Sequence, residues 1–146
     1  MTTVSDILKT KPSGAVYTIG PAAPVVEALR LMAEKNIGAL VVVDNEAIVG
    51  IVSERDYARK VTLMSRSSAD TPLRDIMSTA VMFVRPEQSS EHCMALMTEN
   101  RLRHLPVMKD GTLIGLISIG DLVKDIISEQ KFIIDQLEHY ISGARD

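Results

Sequence analysis

Short apolar runs and one-faced amphipathic stretches alternate along this 146-residue chain, and the alternation happens twice. Val16-Tyr17-Thr18-Ile19 reads as a short strand, broken by Gly20-Pro21-Ala22-Ala23-Pro24. From Val25 to Asn36, apolar residues fall at Val25, Ala28, Leu29, Met32 and Ala33, the spacing of a helix with one buried face, which Gly38 is expected to end. Ala39 to Val43 is a continuous valine-rich run, as in a strand buried on both faces. Asp44-Asn45-Glu46 turns the chain, Ile48 to Val52 returns as a strand, and Ser53 opens a second helix. Every step then recurs: Val81 to Val84 as strand, Ser90 to Arg101 as helix, Leu105 to Met108 and Leu113 to Ile117 as strands. Pro106 removes one ladder donor, so its strand has to tolerate a gap.

The register between copies is constant. Pro86, Met97, Val107, Gly115, Ser118 and Asp121 each lie 65 residues after Pro21, Met32, Val42, Gly50, Ser53 and Asp56. A lead-in also repeats, Asp6-Ile7-Leu8 against Asp75-Ile76-Met77, at an offset of 69, so the first copy carries four extra residues around Lys9 to Gly14. The expected organisation is a first repeat over 1–64, a polar linker over 65–71, a second repeat over 72–128 and a further helix over 129–146. That last helix is marked by Leu122, Ile126, Ile133, Leu137 and Ile141, widened by Ile127, Ile134 and Tyr140, and a stripe this apolar needs a partner surface. One repeat alone buries too little apolar surface to be secure, so the expected fold is α/β of the α+β kind: two β-α-β-β-α repeats packed sheet to sheet about a pseudo-twofold axis.

Composition narrows the functions. A net charge of −3 and the lack of clustered Lys and Arg disfavour a nucleic-acid surface. Aromatics are only 3%, with no Trp, which argues against a stacking platform. The single cysteine, Cys93, cannot make an internal disulfide, no apolar run approaches the roughly 20 residues that cross a bilayer, and the N-terminus has no leader-like pattern; together these predict a cytoplasmic protein without a membrane partner. His92, His104 and His139 show no metal-ligand spacing, and no nucleophile-base set or glycine-rich phosphate loop is present.

The chemistry sits in the twin Ser-x-x-Asp signatures, Ser53-Glu54-Arg55-Asp56 and Ser118-Ile119-Gly120-Asp121. A carboxylate three residues into a helix after a strand can accept both hydroxyls of a ribose, the serine can add a third contact, and the helix start offers N–H groups to phosphate. The same spacing also fits a capping arrangement, and the two roles are compatible. Cys93 aligns with Ala28 on an inner helix face and reads as core. Arg55, Arg59, Lys60 and Arg66 form either a basic patch for phosphate or, for the last three, a solvated helix face.

With these residues in place the chain resembles a tandem CBS-domain pair, the Bateman module. The resemblance rests on the repeated Pro–helix–Leu-x-Val–turn–Gly-h-h-Ser-x-x-Asp pattern over about residues 4 to 128. Gly50 to Lys60 and Arg101 to Val107 further resemble stand-alone bacterial CBS-pair proteins and a plant organellar group. The resemblance implies two clefts between the halves that hold adenine nucleotides, and a dimer of pairs. AMP is the first choice, with ADP, ATP, NAD(H) and S-adenosylmethionine as others. It implies one cleft with Ser118, Asp121, Arg103 and His104 facing Tyr17, Ile37, Gly38 and Ala39, and another with Ser53, Arg55 and Asp56 facing Met82, Leu102 and Arg103. The copies differ where Gly38-Ala39 aligns with Arg103-His104, Arg55 with Gly120, and Thr18 with Phe83, which predicts unequal clefts.

Three functions compete. The first is a non-enzymatic energy or redox sensor that binds a nucleotide and regulates a partner enzyme or its own homodimer. The second is a structural scaffold for dimerisation or protein interaction that has no ligand. The third, a nucleotide hydrolase, lacks a metal cluster and an activated nucleophile.

Overall fold

The computed structural model describes residues 2–11 and 16–143. In chain order these form α1 (Val4–Thr10), β1 (Thr18–Ile19), α2 (Val25–Lys35), β2 (Ala39–Asp44), β3 (Ala47–Ser53), α3 (Glu54–Tyr57) with a π-helical turn (Ala58–Thr62), a 3₁₀ turn (Leu73–Asp75), α4 (Ser90–Asn100), β4 (His104–Lys109), β5 (Thr112–Ser118) and α5 (Ile119–Gly143). The fold is mixed α/β. One sheet runs β1-β2-β3, with β1 parallel and β3 antiparallel to β2, and the other is the antiparallel pair β4-β5.

The duplication reaches the backbone dihedrals. Asn36 and Arg101, 65 apart, both end their helices in the left-handed region, at φ 54° and 56°. Asn45 and Asp110 repeat a φ of 50° at the hairpin turns, followed by Glu46 and Gly111, also at positive φ. Both hairpins slip register at matching places, between Val42 and Val43 and between Val107 and Met108. Helix α2 therefore stops at Asn36, two residues before the glycine expected to end it, because asparagine tolerates this conformation.

Two further expectations change. Val81 to Val84 is not a strand: it keeps one parallel bridge, Val84 to Val107, the counterpart of the Ile19–Val42 pair in β1-β2. Val84 still donates to the Pro106 carbonyl at 2.9 Å and accepts from Met108, but extending the ladder backwards would call on an N–H that Pro106 lacks. The segment over 129–146 does not begin a new helix, since α5 is continuous from Ile119 across that boundary; residues 144–146 lie outside the described residues. Of the region with four extra residues in the first copy, Pro12 to Gly14 also lies outside them.

Packing groups the chain differently from the repeat boundaries. One compact unit is Ala15–Met82 and the other combines Met1–Gly14 with Phe83–Asp146, so each repeat's lead-in belongs to the other repeat's unit. In the first unit Leu73 and Ile76 of the second lead-in join Val25, Met32, Leu40, Val42, Val52 and Val61 in the core. Carbonyls of the polar segment 65–71 cap α2, with Val25 N–H bonded to Thr71 and Val26 N–H to Ser68, so this stretch satisfies helix-end donors that no side chain reaches. In the second unit α1 buries Val4 and Ile7, and Val4 N–H bonds to the Gln88 carbonyl at 2.8 Å.

Two glycines record how close these lead-ins come. A Cβ at Gly115 would meet Leu8 Cδ2 at 2.6 Å, and one at Gly50 would meet Met77 Sδ at 2.7 Å and the Ser78 carbonyl oxygen at 2.9 Å. The first obstacle is the end of a side chain. The second includes backbone held by paired hydrogen bonds between Ile51 and Ser78. Gly50→Ala is therefore expected to cost about 2–3 kcal/mol in denaturant unfolding and Gly115→Ala less, with Leu8→Ala making the Gly115→Ala change nearly neutral in the double variant.

Candidate functional site

Each hairpin delivers its last residue, a serine, to the start of a helix. Ser118 closes β5 opposite His104, and Ser53 closes β3 opposite Ala39. The Arg103 carbonyl accepts the Ile119 N–H at 2.9 Å, as the Gly38 carbonyl accepts the Glu54 N–H at 3.2 Å, and these bonds fix where α5 and α3 begin.

Both signatures form the reciprocal cap. Asp121 donates its N–H to Ser118 Oγ at 3.1 Å, and its Oδ2 accepts the Ser118 N–H at 2.8 Å. Asp56 does the same with Ser53, at 3.2 and 2.9 Å. Each carboxylate also meets a lysine. Lys11 Nζ donates to Asp121 Oδ2 at 2.9 Å and to the Leu116 carbonyl at 2.7 Å. Lys60 Nζ lies 3.3 Å from Asp56 Oδ1 and donates to the Ile76 carbonyl. The two lysines come from different places in the chain. Lys60 stands one helical turn after Asp56, whereas the residue one turn after Asp121 is Asp125, so the countercharge is supplied by Lys11 just past α1.

The unit that holds Asp121 has a cavity of about 550 Å³ beside it, lined also by Thr10, Lys11, Lys124 and Ser128, within the usual range for small-molecule sites. Burial alone would raise the Asp121 carboxyl; the Lys11 ammonium and the Ser118 N–H outweigh it and hold the group below the ordinary carboxylate range, so it is ionised near neutrality. Burial pushes the His104 imidazole below its ordinary value, Lys11 and Arg103 push the same way, and Asp121 opposes them in part. His104 is thus an uncharged donor-acceptor beside the carboxylate.

The residues expected to share clefts fall into two groups by unit. Leu102, Arg103, His104, Ser118 and Asp121 belong to one; Tyr17, Ile37, Gly38, Ala39, Ser53, Arg55, Asp56 and Met82 belong to the other. Arg103 and Arg55 are exposed, Ala39 is buried, and the Tyr17 ring lies 5.3 Å from Lys35 Nζ. Lys11 escaped the sequence reading; its signal was a pair of lysines, Lys9 and Lys11, at the insertion that distinguishes the first copy. Cys93 is fully buried in α4, and burial raises its thiol, in keeping with a core role. Among the described residues no His, Cys, Asp and Glu cluster could hold a metal, and no helix is long and apolar enough to cross a membrane.

A duplicated strand–helix unit with a capped carboxylate in each copy defines a paired-repeat module. The CBS domain profile matches residues 3–62 and 73–128, and the chain belongs to the CBS-domain family. It is 40% identical over 151 aligned residues to the CBS domain-containing protein CBSX3, mitochondrial, of Arabidopsis thaliana, covering 98% of this chain and 73% of that protein. A solved CBS-domain protein from Burkholderia ambifaria MC40-6 superposes with a TM-score of 0.85 at 58% identity, covering 88% of this chain and 96% of that one. A more distant likeness, at 22% identity and a TM-score of 0.77 over 88% of this chain and 98% of that one, is the CBS domain pair of protein MJ0100 in complex with 5′-methylthioadenosine and S-adenosyl-L-methionine; at that identity it shows the fold alone.

The depressed basicity of buried His104 makes stability depend on pH. The unfolded imidazole, titrating near 6.5, takes up a proton before the folded one does, so stability is full above that pH and falls as acid is added through it. Melting temperature should fall from about pH 7.5 to about pH 5.5, and His104→Gln should flatten that fall in thermal unfolding across the range.

Proposed function

We propose that this chain is a cytoplasmic regulatory module that binds an adenine nucleotide through the carboxylate of Asp121 and passes its occupancy to a partner enzyme or to a second copy of the chain. The observation that carries this reading is the ionised, partly buried Asp121 paired with Lys11 beside a cavity of about 550 Å³. A ribose diol can donate to the carboxylate, and the displaced ammonium then has a phosphate to meet, which favours a nucleotide over a nucleoside. His104 and Arg103 belong to the same unit but do not line this cavity. AMP is the first ligand to test, followed by NADH and ATP. Asp56 with Lys60 repeats the pairing and is the second candidate. Occupancy regulates only if the ligand binds one packing arrangement more tightly than another.

The scaffold reading keeps one observation on its side: capping and lysine pairing already satisfy both carboxylates without a ligand. Calorimetry separates the two. Asp121→Asn keeps an oxygen for the Ser118 N–H and removes the charge, so the helix start survives while AMP affinity should drop about tenfold or more. Lys11→Met should weaken AMP several-fold and leave adenosine binding unchanged or slightly tighter, because its ammonium no longer competes for the carboxylate. A nucleotide at about 100 times its dissociation constant should stabilise the wild type by about 2.7 kcal/mol; no shift with AMP, ATP or NADH would favour the scaffold.

A further inference from the structure

Two aspartates share one face of α5. Asp121 and Asp125 stand one helical turn apart, both line the cavity of about 550 Å³, and both are partly buried. Their partners differ. Asp121 Oδ2 accepts two donors, the Ser118 N–H at 2.8 Å and Lys11 Nζ at 2.9 Å, which uses both lone pairs of that oxygen. Asp125 Oδ2 is buried and has no hydrogen-bond partner among the described residues. A buried acceptor left without a donor is costly, and few occur in native proteins.

Most other polar groups around the cavity are committed elsewhere. Thr10 Oγ1 donates to the Ile7 carbonyl and Thr2 Oγ1 to Glu129, each at 2.7 Å, and Asp6 accepts the Thr3 N–H. Lys124 is exposed and adjoins Asp125 in sequence, so the two side chains leave the helix in different directions. Lys11 is better placed. It closes α1, carries its charge on a flexible four-carbon stem, and has only about 5.4 Å of helix to cross from one carboxylate to the other.

A diol that takes both oxygens of Asp121 requires one donor to leave Oδ2. The Ser118 N–H is held there by the start of α5, and the lysine is not. Resting on the nucleotide reading above, we infer that Lys11 has two stations: it sits on Asp121 while that carboxylate is free and moves to Asp125 Oδ2 when Asp121 is taken. Asp125 is thus a positioning residue that also sets ligand choice. With a nucleoside, Asp125 receives the displaced ammonium and the exchange is nearly even. With a nucleotide, the phosphate competes with Asp125 for the same ammonium and is repelled by the carboxylate. Lys11 favours a phosphate, and Asp125 tempers that preference.

Two measurements on the full chain test this. The first needs no ligand. A crystal structure of Asp121→Ala, which keeps the bond from the 121 N–H to Ser118 Oγ, should place Lys11 Nζ about 3 Å from Asp125 Oδ2. Asp121→Asn serves if the alanine variant does not fold, and should show the same move because a charged acceptor outcompetes a neutral amide. Lys11 turned to solvent, or held only by the Leu116 carbonyl, would overturn the inference. The second is calorimetry of Asp125→Asn. Adenosine should bind about threefold or more weaker and AMP about threefold or more tighter, whereas a packing defect would weaken both. In a wild type that binds both compounds, affinities that move together or not at all would overturn it. A wild type that binds neither, with Lys11 on Asp125 in Asp121→Ala, would remove the nucleotide reading and leave the two stations standing.

Discussion

A half-length repeat cannot close its own core, and the rest of this structure follows from that constraint. The body of each repeat leaves a face that its own residues do not cover, and the lead-in of the other repeat covers it. Leu73 and Ile76 fill the core beside Val42 and Val52; Val4 and Ile7 are buried in the other unit. At Gly50 the covering segment comes so near that a methyl group has no room, whereas at Gly115 one fits once the end of the Leu8 side chain moves. The strands then have fixed ends, and the serines that finish them have fixed directions.

From those ends comes the chemistry. Ser118 and Asp121 are first a structural device, tying the last strand residue to the first turn of α5. The same bonds hold the carboxylate at one rotamer, ionised, facing Lys11. A group that must stay in place to start a helix is a preorganised acceptor, so the capping geometry is compatible with the ligand role proposed for it. The asymmetry between repeats enters through the lysine: local at Asp56, borrowed from the far end of the chain at Asp121.

Much of this was legible in the sequence. The 65-residue register located helices, hairpins and both signatures, because periodicity of apolar residues and Gly, Pro and Asn punctuation are local and survive duplication. What escaped was non-local. The Val81 to Val84 strand failed because its ladder depends on a donor at position 106 that proline lacks. Lys11 could not be paired with a residue 110 positions away, and the exchange of lead-ins is invisible in a linear repeat alignment because each copy reads as self-sufficient. The helix over 129–146 was recognised as apolar, but its continuity with the helix after Ser118 needed the absence of any breaker to be weighed across a boundary drawn between repeats.

The exchange also sets an order of assembly. Ala15–Met82 is contiguous and has all its parts once residue 82 has been synthesised. The other unit is split: its opening helix is made first, then waits for strands more than 90 residues downstream before α1 can dock on β5. Docking α1 on β5 therefore closes a long loop, an entropic cost that the contiguous unit does not meet.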